Sequence, residues 1–265
     1  MTKYKTTERI LEGKIALITG AAGGIGASTA QLFLEQGASV VLVDNNERKL
    51  KDTESKLRAL HNSKLLGYVA DIGNRDQCEK ITMLSEANLG GVIDILVNNA
   101  GIDRSEEVKD LKLETWREVL QVNLDGSLFM TQCVVKRLRE QSKPGNIIFV
   151  TSVHTAMAFK NAGAYDVSKH GMVGLMRAAA LENARYGIRC NAVAPGAIYP
   201  TGLTEDISAE TVECLEKLIP IQRWGTPREV ANIILFVASD LASYITGSEI
   251  RVDGGMSIQN PFNDY

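Results

Sequence analysis

The stretch "TGAAGGIG", residues 19–26, completes the apolar run "KIALITG" (14–20) and opens a helical pattern that continues through "ASTAQLFLEQG" (27–37). A glycine-rich turn between a buried strand and a helix can hold a pyrophosphate on the free N–H groups of the helix N-terminus. Gly20 would permit the tight turn, Gly24 would let the backbone approach the anion, and Gly26 would allow close helix–strand packing. An isolated glycine cluster is better explained as a sharp turn without a ligand. The end of the next strand therefore determines whether the sequence predicts a dinucleotide site.

That next strand, "ASVVLVD" (38–44), ends in Asp44 at about the ~20-residue spacing expected of a ribose-binding acid. A carboxylate there accepts hydrogen bonds from the adenosine ribose and repels a 2′-phosphate, which favours NAD over NADP. Asp44 also fits a turn or cap role before the helix "NERKLKDTESKLRAL" (46–60). Arg48 and Lys49 leave room for use of both dinucleotides.

Further apolar runs alternate with helical stretches along the chain. They read "KLLGYVAD" (64–71), "DILVNNAG" (94–101), "NIIFVTS" (146–152), "IRCNAVAPG" (188–196) and "SEIRVDGG" (248–255). Continuous apolar runs indicate strands covered on both faces. The sequence therefore predicts an α/β fold, a single-domain Rossmann-type doubly wound parallel β-sheet of about seven strands flanked by helices. We expect one domain over 1–265 with a core of about 14–255, because no linker or repeat divides the chain; the segments 1–11 and 257–265 read as polar tails.

The composition and charge of the chain argue against several classes of function. The 265 residues are 45% hydrophobic and 23% charged with a net charge of −3, which favours neither nucleic acid nor an anionic membrane as partner. No apolar run suits a signal peptide or a membrane span, and we predict a cytoplasmic location. The three histidines argue against a histidine-based metal site. The cysteines lack CxxC spacing and are predicted to be free buried thiols: Cys78, Cys133, Cys190 and Cys214.

The motifs together resemble those of the short-chain dehydrogenase/reductase family, from about Lys14 to Gly255. The resemblance rests on the TGxxxGxG turn, "NNAG" (98–101), Asn123 in "QVNLDG", Ser152 in "VTS", "YDVSK" (165–169) and "PG" (195–196), in the family's order and spacing. It implies a single Rossmann-type domain with a seven-stranded parallel sheet, assembled as a homodimer or homotetramer.

Tyr165 and Lys169 lie four positions apart and therefore share one face of a predicted helix. Because a free tyrosine has a pKa of ~10, a nearby ammonium would favour its phenolate. The resemblance implies that Tyr165 is the catalytic acid/base and that Lys169 lowers its pKa and binds the nicotinamide ribose. It also implies that Ser152 orients the reacting oxygen. Asn123 would hold, partly through its backbone carbonyl, a water that links Lys169 to solvent. Taken singly, a capping serine, a locally bonded asparagine and a packing YxxxK pair explain these residues as well.

The family's remaining cofactor contacts map onto segments after the strands. The resemblance assigns the adenine pocket to Asp71 and Ile72, and the nicotinamide carboxamide contact to Ile198; for Asn98, support of the central strand is an equal alternative. Thr201 stands one position later than the family's usual threonine, because Pro200 occupies that place. The full predicted cofactor set is Gly20, Gly24, Ile25, Gly26, Asp44, Asp71, Ile72, Asn98, Ala100, Gly101, Tyr165, Lys169, Pro195, Gly196, Ile198 and Thr201.

Substrate contacts are predicted for Ser152, His154 and Tyr165, under a lid of about 199–222. The lid's aliphatic residues would form walls: Leu203, Ile207, Leu215 and Leu218. His154 could bond a substrate hydroxyl or carboxylate, and a loop contact explains it equally well. The helix around Tyr165 has more apolar residues than one sheet face requires, notably Met172, Leu175, Met176, Ala179 and Ala180, which suggests a subunit contact.

These features predict an NAD-dependent oxidoreductase that interconverts a secondary alcohol and a ketone. Candidate substrates are polyols, sugars, hydroxysteroids and similar secondary alcohols. The alternatives are a 3-oxoacyl thioester reductase and a non-catalytic dinucleotide-sensing or scaffold protein. A methyltransferase would have no use for the YxxxK pair.

Overall fold

The computed structural model describes residues 9–61, 64–204 and 207–259, without the side chains of Ala209 and Cys214. Seven strands, each parallel to its neighbours, form one sheet in the order β3-β2-β1-β4-β5-β6-β7. The strands are β1 (Ile15–Thr19), β2 (Ser39–Asp44), β3 (Leu65–Val69), β4 (Ile95–Asn98), β5 (Gly145–Val150), β6 (Ile188–Pro195) and β7 (Glu249–Val252). The predicted single-domain doubly wound fold is confirmed.

Helices connect the strands and cover both sides of the sheet. Those in the described residues are α1 (Gly24–Glu35), α2 (Glu47–Leu60), α3 (Arg75–Leu89), α4 (Leu113–Leu120), α5 (Gly126–Glu140), α6 (Gly163–Asn183), α7 (Ala209–Glu216) and α8 (Pro227–Ala238). A π-helical turn, Gln121–Asp125, joins α4 directly to α5. None of the described helices is long and apolar enough to cross a membrane.

Two buried clusters lie on opposite faces of the sheet. Leu17 of β1 belongs to a cluster with residues of α3, α5 and α6, whereas its neighbour Ile18 packs with residues of α1, α2 and α8. Successive strand residues point to opposite faces, so a sheet covered twice needs apolar residues at every position. This explains why the strands read as continuous apolar runs.

Local signals in the sequence set the helix ends. The side chains of Asn46 and Asn74 cap α2 and α3 by accepting hydrogen bonds from backbone N–H groups of the first turns. Thr226 and Glu229 form a reciprocal capping box on α8, with Pro227 at its first position. Gly90 ends α3 in the left-handed conformation, at φ 75°.

The apolar residues of α6 correct one expectation. Met172, Met176, Ala179 and Ala180 are buried within the chain itself, and Leu175 packs against the same cluster. They complete the core on one face of the sheet and are not surplus surface for a second subunit. The expectation that they exceed what the core requires was therefore wrong, and the subunit contact itself stays a prediction.

The chain ends are also more structured than the sequence suggested. Leu11 is 1% exposed, and its N–H donates to the carbonyl of Gln36. At the other end the carboxylate of Asp253 accepts a hydrogen bond from the N–H of Ser257. Residues 9–11 and 257–259 thus belong to the folded body, and the rest of both predicted tails lies outside the described residues.

The cysteine side chains that the structure describes are free thiols. Cys78 and Cys190 are buried, and Cys133 is partly buried. Burial raises the pKa of Cys78 and Cys190 to about 12, so both stay protonated and unreactive. The side chain of Cys214 lies outside the described residues.

The sheet reverses its winding between β1 and β4. The chain proceeds outward from β1 to β2 and β3 on one side, and from β4 to β7 on the other. At such a switch point the loops after the two strands diverge and leave a crevice at their carboxyl ends. The predicted site segments that follow β1, β4, β5 and β6 all begin at this edge.

Candidate active site

A cleft of about 830 Å³ opens at the carboxyl edge of the sheet. The predicted site residues that line it are Gly20, Gly24, Ile25, Asp44, Ala100, Gly101, Ser152, His154, Tyr165, Lys169, Pro195, Gly196, Ile198 and Thr201. The predicted residues outside its lining are Gly26, Asp71, Ile72, Asn98 and Asn123. A separate groove of about 820 Å³ between α3 and α5 contains none of the predicted residues.

The glycine-rich turn forms one wall of this cleft. Gly23 is the N-cap of α1 and no side chain caps the helix, so the N–H groups of its first turn are available to an anion. Gly20 has φ 64°, and a Cβ there would lie 2.7 Å from the Cα of Ala100. A Cβ on Gly26 would lie 2.2 Å from the carbonyl oxygen of Gly20. Helix and strand approach more closely here than any residue larger than glycine allows.

Asp44, at the end of β2, borders the glycine-rich turn. Its carboxylate accepts hydrogen bonds from the N–H of Ala22 at 3.0 Å and the N–H of Asn46 at 2.9 Å. A carboxylate offers about four acceptor positions, so capacity remains for ribose hydroxyls. The same contacts show that Asp44 supports the turn that it borders.

In the segment after β4, the asparagine that reaches the cleft is not the one expected from the sequence. Asn98 is buried and donates from Nδ2 to the hydroxyl of Thr131 at 3.0 Å. Asn99 lines the cleft instead, and its Nδ2 donates to the carbonyl oxygens of Thr19 and Gly20 at 2.9 and 3.0 Å. The sequence analysis missed Asn99, although it belongs to the same "NNAG" motif.

Asp71 and Ile72 follow β3 on the far side of Asp44. Asp71 is exposed, and its carboxylate accepts a hydrogen bond from the N–H of Gly73. Ile72 is buried against Gly126 at the start of α5. In this conformation both residues stabilise the turn after β3 and neither lines the cleft.

Ser152 follows β5 and begins a 3₁₀ turn over Val153–Thr155. Glu249 of β7 stabilises this turn, because its Oε1 accepts hydrogen bonds from the hydroxyls of Thr151 at 2.8 Å and Thr155 at 2.9 Å. Glu249 therefore fixes the residues on either side of Ser152. No local pattern predicts this contact across almost a hundred positions of sequence.

Tyr165 and Lys169 lie one turn apart on α6 and are both buried. The Lys169 Nζ donates to the carbonyl oxygen of Val150 at 2.9 Å and lies 5.4 Å from the centroid of the Tyr165 ring. The structure thus brings Ser152, Tyr165 and Lys169 to one wall of the cleft, opposite the glycine-rich turn.

The electrostatics of this wall differ from the expectation that Lys169 lowers the pKa of Tyr165. Burial raises the pKa of the Tyr165 phenol, a hydrogen bond with Ser152 acts in the opposite direction, and the carboxylates of Asp103 and Asp166 raise it further. Burial also lowers the pKa of Lys169 to about 8. Loss of hydration disfavours the charged form of both groups, and here it outweighs the attraction between them.

Asn123 lies in the π-helical turn, buried behind the cleft. Its side-chain amide accepts from the N–H of Ile102 at 2.8 Å and donates to the carbonyl of Ile102 at 2.9 Å. Its own backbone carbonyl accepts a hydrogen bond from the hydroxyl of Ser127 at 2.7 Å. Asn123 therefore holds the backbone of the loop after β4 at two points.

Two carboxylates near Tyr165 were missed by the sequence analysis. Asp103 lines the cleft, three residues beyond Ala100. Asp166, in the first turn of α6, has its Oδ1 2.5 Å from the Nδ1 of His154. The His154 ring stacks on Phe159 and lies edge-on to Tyr165, with centroid separations of 4.1 and 4.9 Å. Both explanations offered for His154 from the sequence therefore have support, because it lines the cleft and also makes a structural contact within the protein.

Residues after β6 close the remaining side. The hydroxyls of Thr201 and Thr204 lie 2.9 Å apart, and Thr204 donates to the carbonyl of Ile198. Thr201 lies over the glycine-rich turn, since a Cβ on Gly24 would be 3.2 Å from its Cα. Among the predicted lid walls, Leu203 and Leu215 line the cleft, whereas Ile207 and Leu218 do not. Residues 205–206 of the lid lie outside the described residues.

Comparison with known proteins supplies independent findings. A family model described as enoyl-(acyl carrier protein) reductase matches residues 20–257. The 3-oxoacyl-(acyl carrier protein) reductase FabG of Thermotoga maritima is 41% identical over 94% of this chain and 99% of its own. An NAD-dependent glycerol dehydrogenase of Listeria innocua is 36% identical over 93% of this chain and 94% of its own. The crystal structure of a short-chain type dehydrogenase/reductase from Mycobacterium marinum superposes with a TM-score of 0.90 at 33% identity, covering 95% of this chain and 98% of that one.

Proposed function

The chain belongs to the short-chain dehydrogenase/reductase family, and we propose that it is an NAD-dependent oxidoreductase that interconverts a secondary alcohol and a ketone. One observation carries the proposal. A single cleft is lined by the uncapped N-terminus of α1, by Asp44 and by Ser152, Tyr165 and Lys169. The residues that would bind a dinucleotide and a buried phenol beside a lysine thus line one cleft.

The residues of the cleft fit a nicotinamide dinucleotide. The first turn of α1 would bind the pyrophosphate, because its N–H groups have no capping side chain and glycine leaves the approach open. Asp44 would accept hydrogen bonds from the adenosine ribose, and Lys169 would donate to the nicotinamide ribose. Ile198 and Thr201 would contact the carboxamide. When bound, the cofactor supplies the hydride acceptor or donor.

The side chains on α6 and after β5 would handle the proton. Ser152 would hydrogen-bond the reacting oxygen and orient it toward Tyr165. During oxidation Tyr165 Oη would take the hydroxyl proton in its phenolate form, which nearby positive charge favours, and during carbonyl reduction the neutral phenol would give its proton to the oxygen. Because burial raises the pKa of Tyr165, the neutral phenol is the resting form and is suited to donate. Lys169, with its pKa lowered to about 8, can exchange a proton near neutral pH.

Asp44 supports the preference for NAD. A carboxylate at the end of β2 repels a 2′-phosphate, and a relative at 36% identity is named as NAD-dependent. Lys49 also lines this end of the cleft, as expected for a chain that retains some use of NADP.

A second candidate function is reduction of a 3-oxoacyl thioester. It is favoured by the relative with 41% identity, which is named as a 3-oxoacyl-(acyl carrier protein) reductase. The two candidates differ in cofactor and direction, so oxidation of a small secondary alcohol with NAD and reduction of acetoacetyl-coenzyme A with NADPH separate them.

Assembly, lid boundaries and cellular location are proposals as well. We expect a homodimer or homotetramer, a substrate lid of about 199–222 and a cytoplasmic protein. Light scattering of the purified chain tests the assembly. A monomer at micromolar concentration would contradict it.

The mechanism is tested by Tyr165→Phe, with Tyr244→Phe as the matched control, because Tyr244 is fully exposed outside the cleft. Removing the phenolic oxygen from Tyr165 should abolish turnover and leave NADH binding within about threefold, since the ring still fills its place. The control should retain full activity. Turnover retained by Tyr165→Phe would overturn the mechanism.

A further inference from the structure

Among the side chains that line the cleft without a part in the proposed mechanism, three interact with Tyr165 or with each other. They are Asp103, His154 and Phe159, and they lie in the same wall as Ser152 and Tyr165. Two are polar and one is aromatic. Their arrangement indicates what kind of substrate group lies next to the reacting carbon.

Asp103 has an unmet need for a hydrogen-bond donor. Its Oδ1 is buried, and no donor in the described part of the chain lies within hydrogen-bond distance of that atom. An ionised carboxylate only accepts hydrogen bonds, and an unpaired buried acceptor is unfavourable. Burial raises the pKa of Asp103, although a hydrogen bond from the backbone of Arg104 acts in the opposite direction. Because Asp103 lines the cleft, a substrate group that donates to its carboxylate would add a hydrogen bond that the described residues do not supply.

The backbone holds Asp103 in place. Asn123 bonds both the N–H and the carbonyl of Ile102, the residue before Asp103. The charge of Asp103 acts on Tyr165, on Lys169 and on His154. The residue before Asp103 is thus anchored, and Asp103 lines the same cleft as Tyr165 and Lys169.

His154 is a second fixed polar group beside Tyr165. The Asp166 carboxylate accepts from Nδ1 at 2.5 Å and also accepts from the N–H of Phe159 at 3.4 Å. This contact occupies the Nδ1 atom of the His154 ring. Stacking on Phe159 and the edge contact with Tyr165 fix the plane of the ring. The His154 ring is therefore held in a fixed position beside Tyr165.

We propose that the substrate is a vicinal diol, or a polyol that contains one, and that its second hydroxyl donates to the Asp103 carboxylate beside His154. The proposal rests on the proposed function, because it places this hydroxyl one carbon from the carbinol that Tyr165 serves. Asp103 and His154 are specificity-determining residues in this account. A hydroxyl fits better than a carboxylate, which would meet Asp103 with like charge, and better than a methyl group, which would leave the Asp103 carboxylate oxygen unpaired.

An isosteric substrate series tests the proposal. Propane-1,2-diol, butan-2-ol and 1-aminopropan-2-ol carry the same secondary carbinol and differ only in a hydroxymethyl, an ethyl or an aminomethyl group. We expect kcat/KM with NAD to be at least about tenfold higher for the diol than for butan-2-ol, since sites built to bond a hydroxyl reject the analogue that lacks it. Equal values for these two alcohols, or a preference for the amino alcohol, would overturn the proposal.

Two variants assign the preference to Asp103. Asp103→Leu removes the acceptor and should lower the ratio of diol to butan-2-ol turnover by about tenfold or more, whereas Asp103→Asn keeps an acceptor oxygen and should lie between. The ratio is measured within each variant, so partial loss of folded protein cancels, and thermal melting verifies the fold. An unchanged ratio in both variants would refute the role of Asp103.

The failure of the proposed function gives a different result. If neither butan-2-ol, the diol nor acetoacetyl-coenzyme A is turned over with NAD or NADP cofactors, the oxidoreductase proposal fails and this inference fails with it. If butan-2-ol is oxidised as efficiently as the diol, the oxidoreductase proposal stands and only the diol assignment fails.

Discussion

Replacing Gly26 by alanine tests the closest contact in the cofactor wall. The added Cβ would lie 2.2 Å from the carbonyl oxygen of Gly20 and 2.8 Å from the Nδ2 of Asn99, both well inside ordinary contact distance. The neighbour at 2.2 Å is backbone, so α1 must move away from the end of β1. The added methyl group would also displace Asn99 Nδ2 and so break its hydrogen bond to the carbonyl of Gly20.

The size of the effect follows from opposing contributions. Overpacking of this kind typically costs ~1–3 kcal/mol, and each hydrogen bond lost from Asn99 costs ~1 kcal/mol. Alanine gains ~0.5–1 kcal/mol over glycine in a helix interior. The unfavourable contributions are larger, so the free energy of unfolding should fall by roughly 3 kcal/mol. NADH binding should weaken by at least about tenfold, because the N–H groups of α1 move with the helix.

Gly174→Ala provides the matched control, because Gly174 lies inside α6 and a Cβ there meets nothing within 4 Å. It should stabilise the protein by ~0.5–1 kcal/mol. Urea unfolding measures both variants, and NADH fluorescence titration measures binding. A Gly26→Ala protein as stable as the wild type to within about 0.5 kcal/mol, with unchanged NADH affinity, would refute the packing argument.

Three further predictions concern other parts of the site. Burial lowers the pKa of Lys169 from 10.5 to about 8, so between these pH values the folded protein binds fewer protons than the unfolded chain. The free energy of unfolding should therefore rise with pH in this range. Urea midpoints from pH 7 to 10 should show this rise, and Lys169→Met should reduce it. Asp44→Asn should lower the ratio of kcat/KM with NAD to that with NADP by about tenfold or more, since a charged acceptor is lost; an unchanged ratio would contradict the assignment of Asp44. Glu249→Ala should lower kcat by about tenfold through a looser Ser152 turn and Glu249→Gln should restore most of it, because glutamine keeps an acceptor for both threonines; equal kcat in both variants would exclude this positioning role.

Most of the fold could be predicted from the sequence because its signals are local. Strands buried on both faces produce continuous apolar runs, and caps such as Asn46 and Asn74 are read within one helical turn. The glycine-rich turn has the same character, since Gly20 and Gly26 meet across a few residues of backbone. The apolar residues of α6 were predicted to exceed what the core needs, because helical periodicity shows that a face is apolar and does not show what covers it.

The site could be predicted only as far as motifs mark its positions. The pattern identified Ser152, Tyr165 and Lys169, which the structure brings together at one cleft. It also nominated Asp71 and Asn98, which lie outside the cleft lining. A motif gives the position of a residue along the chain, whereas the direction of its side chain depends on neighbours far away in sequence, such as Thr131 for Asn98.

By itself, the sequence determined the parallel sheet, the order of its elements, the glycine-rich turn and the family of the chain, because each of these depends on residues adjacent along the chain. Only the tertiary structure decided that Glu249 stabilises the Ser152 turn, that Asn123 holds the loop before Asp103, and that burial raises the pKa of Tyr165. Hydrogen bonds between distant segments and the loss of hydration arise when the chain closes around the cleft, and no local pattern of residues encodes them.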